Sequence, residues 1–213
     1  MLATWKACLV IALTVATLLL STCSQASKPA GADESAAKAA EPASASEPVT
    51  AKTAYWEMYK SAYKWAPDLV LLRMDPKEIP GFKNEGGKAA LWEGTFASPT
   101  RHEYRIFSYA VAAHSPDIYR GVMVGDGIQW AGVSREVMPV PISAVNADSD
   151  AAFTTATGDA AAWLKKNPGK QLTSFQLGNG YAFSAPVWYF MWGDKKSGYV
   201  VYVNATTGKV VKK

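Results

Sequence analysis

The sequence predicts an α+β protein: two repeats, each a helix packed on a small antiparallel sheet, following a signal peptide and a disordered linker. Three observations predict it. Apolar residues recur at three- and four-residue spacing in two stretches only, near residues 55–66 and 151–166. The rest of the later chain runs β-branched and aromatic between Gly, Pro, Asn and Asp turns. Finally, every aromatic residue except Trp5 lies beyond residue 51.

The chain opens with a basic start and a greasy run. Lys6 is the only charge before Lys28, and Ala7 to Leu20 is apolar apart from threonines. A membrane-spanning helix needs about 20 apolar residues, and small polar residues end this run at Ser21. Residues 1–22 are therefore read as a signal peptide. Leu20-Ser21-Thr22-Cys23 resembles the lipobox of bacterial lipoproteins, with Thr22 departing from the Gly, Ala or Ser preferred before the Cys. The competing site is Ser24-Gln25-Ala26, cleaved after Ala26, which would leave a periplasmic or secreted protein. The chain has two cysteines, Cys8 and Cys23, and the first is lost with the signal. A sole thiol in an exported protein needs a reason, and lipidation of Cys23, with palmitate among the acyl chains, supplies one. Ser24 after the Cys implies, by the same resemblance, an anchor in the outer membrane, facing the periplasm.

Residues 23–50 form the anchored linker. From Ser27 to Thr50 the composition is almost wholly Ala, Ser, Pro, Glu and Lys, with Val49 the one branched aliphatic. Such a segment buries too little apolar surface to offset its ordering entropy. The whole chain carries +4. The surplus positive charge falls on the later region, scattered singly, with no basic stripe of the kind nucleic acid requires.

The first repeat, residues 51–140, starts with a helix in which Tyr55, Tyr59, Ala62, Tyr63 and Ala66 share a face, ended by Pro67. Strands follow at Leu69–Met74, Ala89–Ala97, Glu103–Ala113 and Ile118–Val124. Ser98-Pro99-Thr100 turns between two of them, and Asp126-Gly127 signals a hairpin into Ile128–Trp130. The second repeat, residues 141–213, starts with a helix through Ala151 to Lys166. Asp148 or Asp150 caps it and Asn167-Pro168-Gly169 stops it. Strands at Leu172–Leu177, Phe183–Trp192 and Tyr199–Asn204 complete it, and a Gly193–Gly198 loop closes a hairpin. Trp65 and Trp163, Trp92 and Trp188, and Tyr104 and Tyr199 occupy matching places in the two repeats.

Pro186-Val-Trp-Tyr-Phe190, the Gly193–Gly198 loop and Tyr199-Val-Val-Tyr-Val-Asn-Ala-Thr-Thr-Gly-Lys-Val-Val211 together resemble the end of a PepSY-type domain, a cystatin-like αβ module. Asn204 stands where that family favours Asp. The resemblance implies a cell-envelope protein that binds or inhibits peptidases, and it brings no catalytic residues.

No nucleophile elbow, His-Glu-x-x-His or Walker loop occurs. His102 and His114 are read as exposed turn residues, and no cysteine or histidine cluster suits zinc. Asn146, Asp148 and Asp150 lack the glycine and glutamate of a calcium loop. The expectation is no enzyme, no metal and no cofactor. The function expected is an envelope binding module for protein or peptide, with modulation of a peptidase as one form. The alternative is a periplasmic small-ligand or lipid binder. In either case the binding cleft is expected between the repeats, lined by Trp92, Trp130 and Trp188.

Overall fold

The computed structural model describes residues 47–211 except Ser115, so the signal peptide, Cys23 and the linker as far as residue 46 lie outside the described residues. Among the described residues the fold is α+β, with two α-helices, a short 3-10 turn at Ile142–Ala144 and one eight-stranded antiparallel sheet. The elements are α1 (Ala51–Trp65), β1 (Val70–Lys77), β2 (Leu91–Ser98), β3 (Glu103–Ala110), β4 (Gly121–Val124), β5 (Ile128–Gln129), α2 (Ser149–Lys166), β6 (Leu172–Gly178), β7 (Val187–Trp192) and β8 (Tyr199–Asn204). The strand order is β4-β3-β2-β1-β6-β7-β8, and β5 also pairs with β3.

Small residues let both helices approach the sheet closely. The buried side of α1 is Ala51, Ala54, Tyr55, Met58 and Ala62, and that of α2 is Ser149, Ala152, Ala156 and Ala160. Pro67 ends α1 as expected, because the residue before a proline avoids helical backbone, and Ala66 is extended. Tyr63 does not join the buried face: it is 49% exposed. With alanines as the contact surface, the large ring stands on the outer side of the helix.

Alternation along the strands sorts the sheet into two faces. Trp92, Phe96 and Phe107 point towards the helices from one half, and Phe175, Leu177, Trp188, Phe190 and Val203 do so from the other; all lie in one core cluster. Register links them across the centre, where Met74 of β1 pairs with Leu177 of β6, which in turn pairs with Trp188 of β7. The indole N–H of Trp92 donates to the Val49 carbonyl, just before α1, at 2.9 Å. That of Trp188 donates to the Ala147 carbonyl, just before α2, also at 2.9 Å.

The two helix starts meet. Asp148 caps α2, its Oδ1 accepting from the Ser149 N–H at 2.7 Å. The same oxygen accepts from the Lys52 N–H at 3.1 Å, and Ser149 Oγ accepts from the Ala51 N–H at 3.0 Å. The residue preceding α1, Thr50, makes no side-chain cap of its own. Gly87 packs so tightly here, with φ +76, that a Cβ would lie 2.3 Å from the Ser149 carbonyl oxygen.

Three sequence expectations are corrected. Asp126-Gly127 does not make a hairpin: β4 and β5 do not pair with each other but follow one another along the outer edge of β3. The Gly125 N–H bonds to Ile106 O at 2.8 Å and keeps the chain on that edge. Val49, inside the segment read as linker, is part of the fold, since it bridges Ala89 with two backbone bonds of 3.0 Å. As the lone branched aliphatic of that segment it packs on the core. Third, β1 runs on through Pro76 to Lys77. β6 meets β1 only at Arg73 and Met74, so the proline sits where the strand has one neighbour.

Candidate functional site

The sheet face opposite the helices is only partly covered. At one end, Ile79 and Phe82 from the loop after β1 pack over Leu91 and Ala110. The remainder forms a groove of about 960 Å³. Its floor crosses both halves of the sheet, from Tyr104 and Ile106 on β3 to Tyr189 on β7 and Tyr202 on β8.

One wall is the connection from β5 to α2. Residues 130–137 lie along the groove, whereas Val140 and Val145 are buried in the core on the helix side. The chain therefore passes through the sheet plane at its central seam. There Val140 N–H bonds to Leu71 O at 2.7 Å and Met138 N–H to Asn179 O at 3.0 Å. Asn179 Nδ2 donates to Pro139 O at 2.8 Å, and Tyr181 N–H donates to Arg135 O at 2.8 Å. Gly180 permits this approach, since a Cβ there would stand 3.0 Å from the Glu136 carbonyl oxygen.

Six aromatic residues, Tyr104, Trp130, Tyr181, Phe183, Tyr189 and Tyr202, line the groove. Phe183 and Tyr202 have centroids 5.0 Å apart, and Tyr189 and Tyr202 5.4 Å. Burial pushes the Tyr189 hydroxyl pKa up, and the neighbouring Tyr202 adds to this. Arg73 holds Asp75 at 2.7 Å. Burial raises the Asp75 carboxyl pKa, while Arg73 and Lys77 oppose that rise. At the rim the Arg135 guanidinium lies 4.5 Å over the Tyr181 ring. The site thus offers aromatic faces, phenol hydroxyls, two guanidiniums and the Glu136 carboxylate.

The three tryptophans expected in a cleft are not brought together. Trp130 lines the groove. Trp92 and Trp188 are fully buried on the other side of the sheet, each with 0% exposure, because strand alternation aims them at the helices. Their own spacing was the signal for the groove residues: positions between them, such as Thr95 and Tyr189, must point the other way. Arg73, Gln176, Tyr202 and the 131–137 wall were not singled out. His102 and His114 are exposed turn residues, His102 with φ 51, and neither lines the groove. Among the described residues no group of three or more His, Cys, Asp or Glu could hold a metal. No described helix is long and apolar enough to cross a membrane.

No family model matches this chain, and no curated protein matches it. Among solved structures it is similar to a candidate lipoprotein from Clostridium difficile 630, at 9% identity, covering 75% of this chain and 90% of that one, with a TM-score of 0.43.

Proposed function

We propose that the chain is an exported, non-enzymatic binding module of the bacterial cell envelope, held to the periplasmic side of the outer membrane by lipid on Cys23, and that its groove receives a protein or peptide segment. The groove itself carries this reading. Its floor runs unbroken across strands of both halves, six aromatic rings line it, and its volume, about 960 Å³, suits a short extended segment. Aromatic side chains bind large apolar area at low entropic cost, and the phenols and guanidiniums can meet backbone carbonyls and carboxylates.

The finer reading is a duplicated PepSY-like unit, with peptidase modulation as its role. Support comes from the order of elements, a helix then an antiparallel meander on each side of the β1–β6 seam, β1 to β4 in the first half and β6 to β8 in the second. The matching indole bonds of Trp92 and Trp188 add to it. A second reading, a small apolar ligand, is favoured by the wall over the groove, which shelters the floor from one side.

Binding of the chain to an immobilised array of envelope-protein peptides tests this. Saturable binding is expected, falling about tenfold or more in Tyr189→Ser or Trp130→Ser, as for aromatic anchors in other interfaces. A chain that binds no peptide but carries a small molecule through native mass spectrometry would transfer the groove to the second reading.

A further inference from the structure

The outward side of α1 is unlike an ordinary solvated helix face. Trp56 and Tyr63 are each 49% exposed, far more than a structural role for such rings requires. Tyr59 lies between them, with ring centroids 5.6 Å from Trp56 and 5.7 Å from Tyr63. These positions, three and four apart, form one continuous stripe. Lys60 shares that side and Lys64 borders it, against a single acid, Glu57, which Lys60 holds at 2.9 Å; the Lys52 ammonium on the same side donates to the Val145 carbonyl at 3.1 Å.

Trp and Tyr rings flanked by lysines are suited to the boundary between water and acyl chains. The rings take the interfacial layer, and the lysine stems lie along it with their ammonium groups in the headgroups. The surplus of lysine complements anionic lipid. The place of the helix in the chain points the same way. Among the described residues α1 is the first helix or strand, so of these elements it stands nearest in sequence to the lipid-bearing Cys23 proposed above.

We infer that the face of α1 carrying the exposed Trp56 and Tyr63 rings, with half-buried Tyr59 between them, docks on a phospholipid surface. The helices cover one side of the sheet and the groove lies on the other, so a docked α1 holds the groove facing away from the membrane. The orientation rests on the envelope reading above; the docking itself can be tested without the anchor.

The test uses the chain from Ser24 onward, which keeps the whole compact unit Pro42–Lys213 and carries neither signal peptide nor lipid. It is mixed with vesicles of phosphatidylethanolamine and phosphatidylglycerol, some bearing brominated acyl chains. Co-sedimentation and bromine quenching of tryptophan emission are expected. The pair Trp56→Ser with Tyr63→Ser should weaken partition about tenfold or more, with an unchanged far-ultraviolet spectrum because both rings are half exposed. Lys60→Glu should weaken it and flatten its dependence on salt, because fewer cationic contacts remain to be screened, whereas the groove variant Tyr189→Ser should partition like the parent. Failure of the parent to partition, or equal partition by the Trp56 and Tyr63 pair, overturns the inference. So does a stripe that captures a polypeptide and ignores vesicles. An anchor confirmed by acyl labelling, with no partition of the unlipidated chain, refutes docking alone; partition without acylation refutes the anchor alone.

Discussion

At the residue scale, Trp92 and Trp188 are pegs rather than ligand contacts. Each fills the core and satisfies a carbonyl that precedes a helix, Val49 O and Ala147 O respectively. A buried acceptor left without its donor costs about 1–3 kcal/mol. Trp92→Phe and Trp188→Phe should therefore each lower unfolding free energy by about 1–3 kcal/mol in urea titrations. Trp130→Phe keeps a ring on the groove wall and removes no such bond, so it should stay within about 0.5 kcal/mol of the parent. Equal effects at all three positions would mean that the indole bonds contribute nothing. The contrast also explains why the expected cleft was misplaced. A tryptophan in a strand reads alike whether it faces core or groove, and only the covering helices decide between the two.

At the element scale, the C-terminal hairpin is core. Val201 and Val203 are buried against Phe190 and Trp188. Tyr199 stacks on Trp163 of α2 at 5.7 Å, and Val210 bridges back to Val203. Each large apolar side chain uncovered costs about 1.5–3 kcal/mol, against a total stability of about 5–15 kcal/mol. Deleting residues 199–213 should thus abolish the cooperative thermal transition in calorimetry; a truncated chain melting near the parent temperature would contradict this packing. Elements built from local chemistry were legible in the sequence. Of the two caps read, Asp148 is the one that starts α2, Asn167-Pro168-Gly169 ends it as read, and the Gly193–Gly198 loop joins β7 to β8 as read. What depended on distant partners was not legible. Asp126-Gly127 has hairpin composition, yet β3 holds both flanking strands on one edge. The groove wall has no periodic signal at all, since its place is set by bonds to Leu71, Asn179 and Tyr181.

At the scale of the whole molecule, the proposed tasks fall on opposite sides of the sheet: lipid docking on the aromatic stripe of α1, and binding at the groove with Tyr104, Tyr189 and Tyr202. Radiolabelled palmitate should enter the parent in growing cells and not the Cys23→Ala variant. Equal labelling of the two would remove the anchor, leaving cleavage after Ala26 as the route to a periplasmic or secreted form.

The shared cap carries one more consequence, for the order in which the chain becomes native. The groups that complete the start of α1 stand 96 and 98 residues further along. A nascent chain that has emerged only through β5 lacks them, and its β1 lacks β6 as well. Contacts so remote in sequence make folding slow and leave the first half unfinished until the second exists. The two halves are thus expected to mature together as one cooperative event, after synthesis has passed Ser149, an order that suits the export proposed above, since a chain not yet closed can still be threaded.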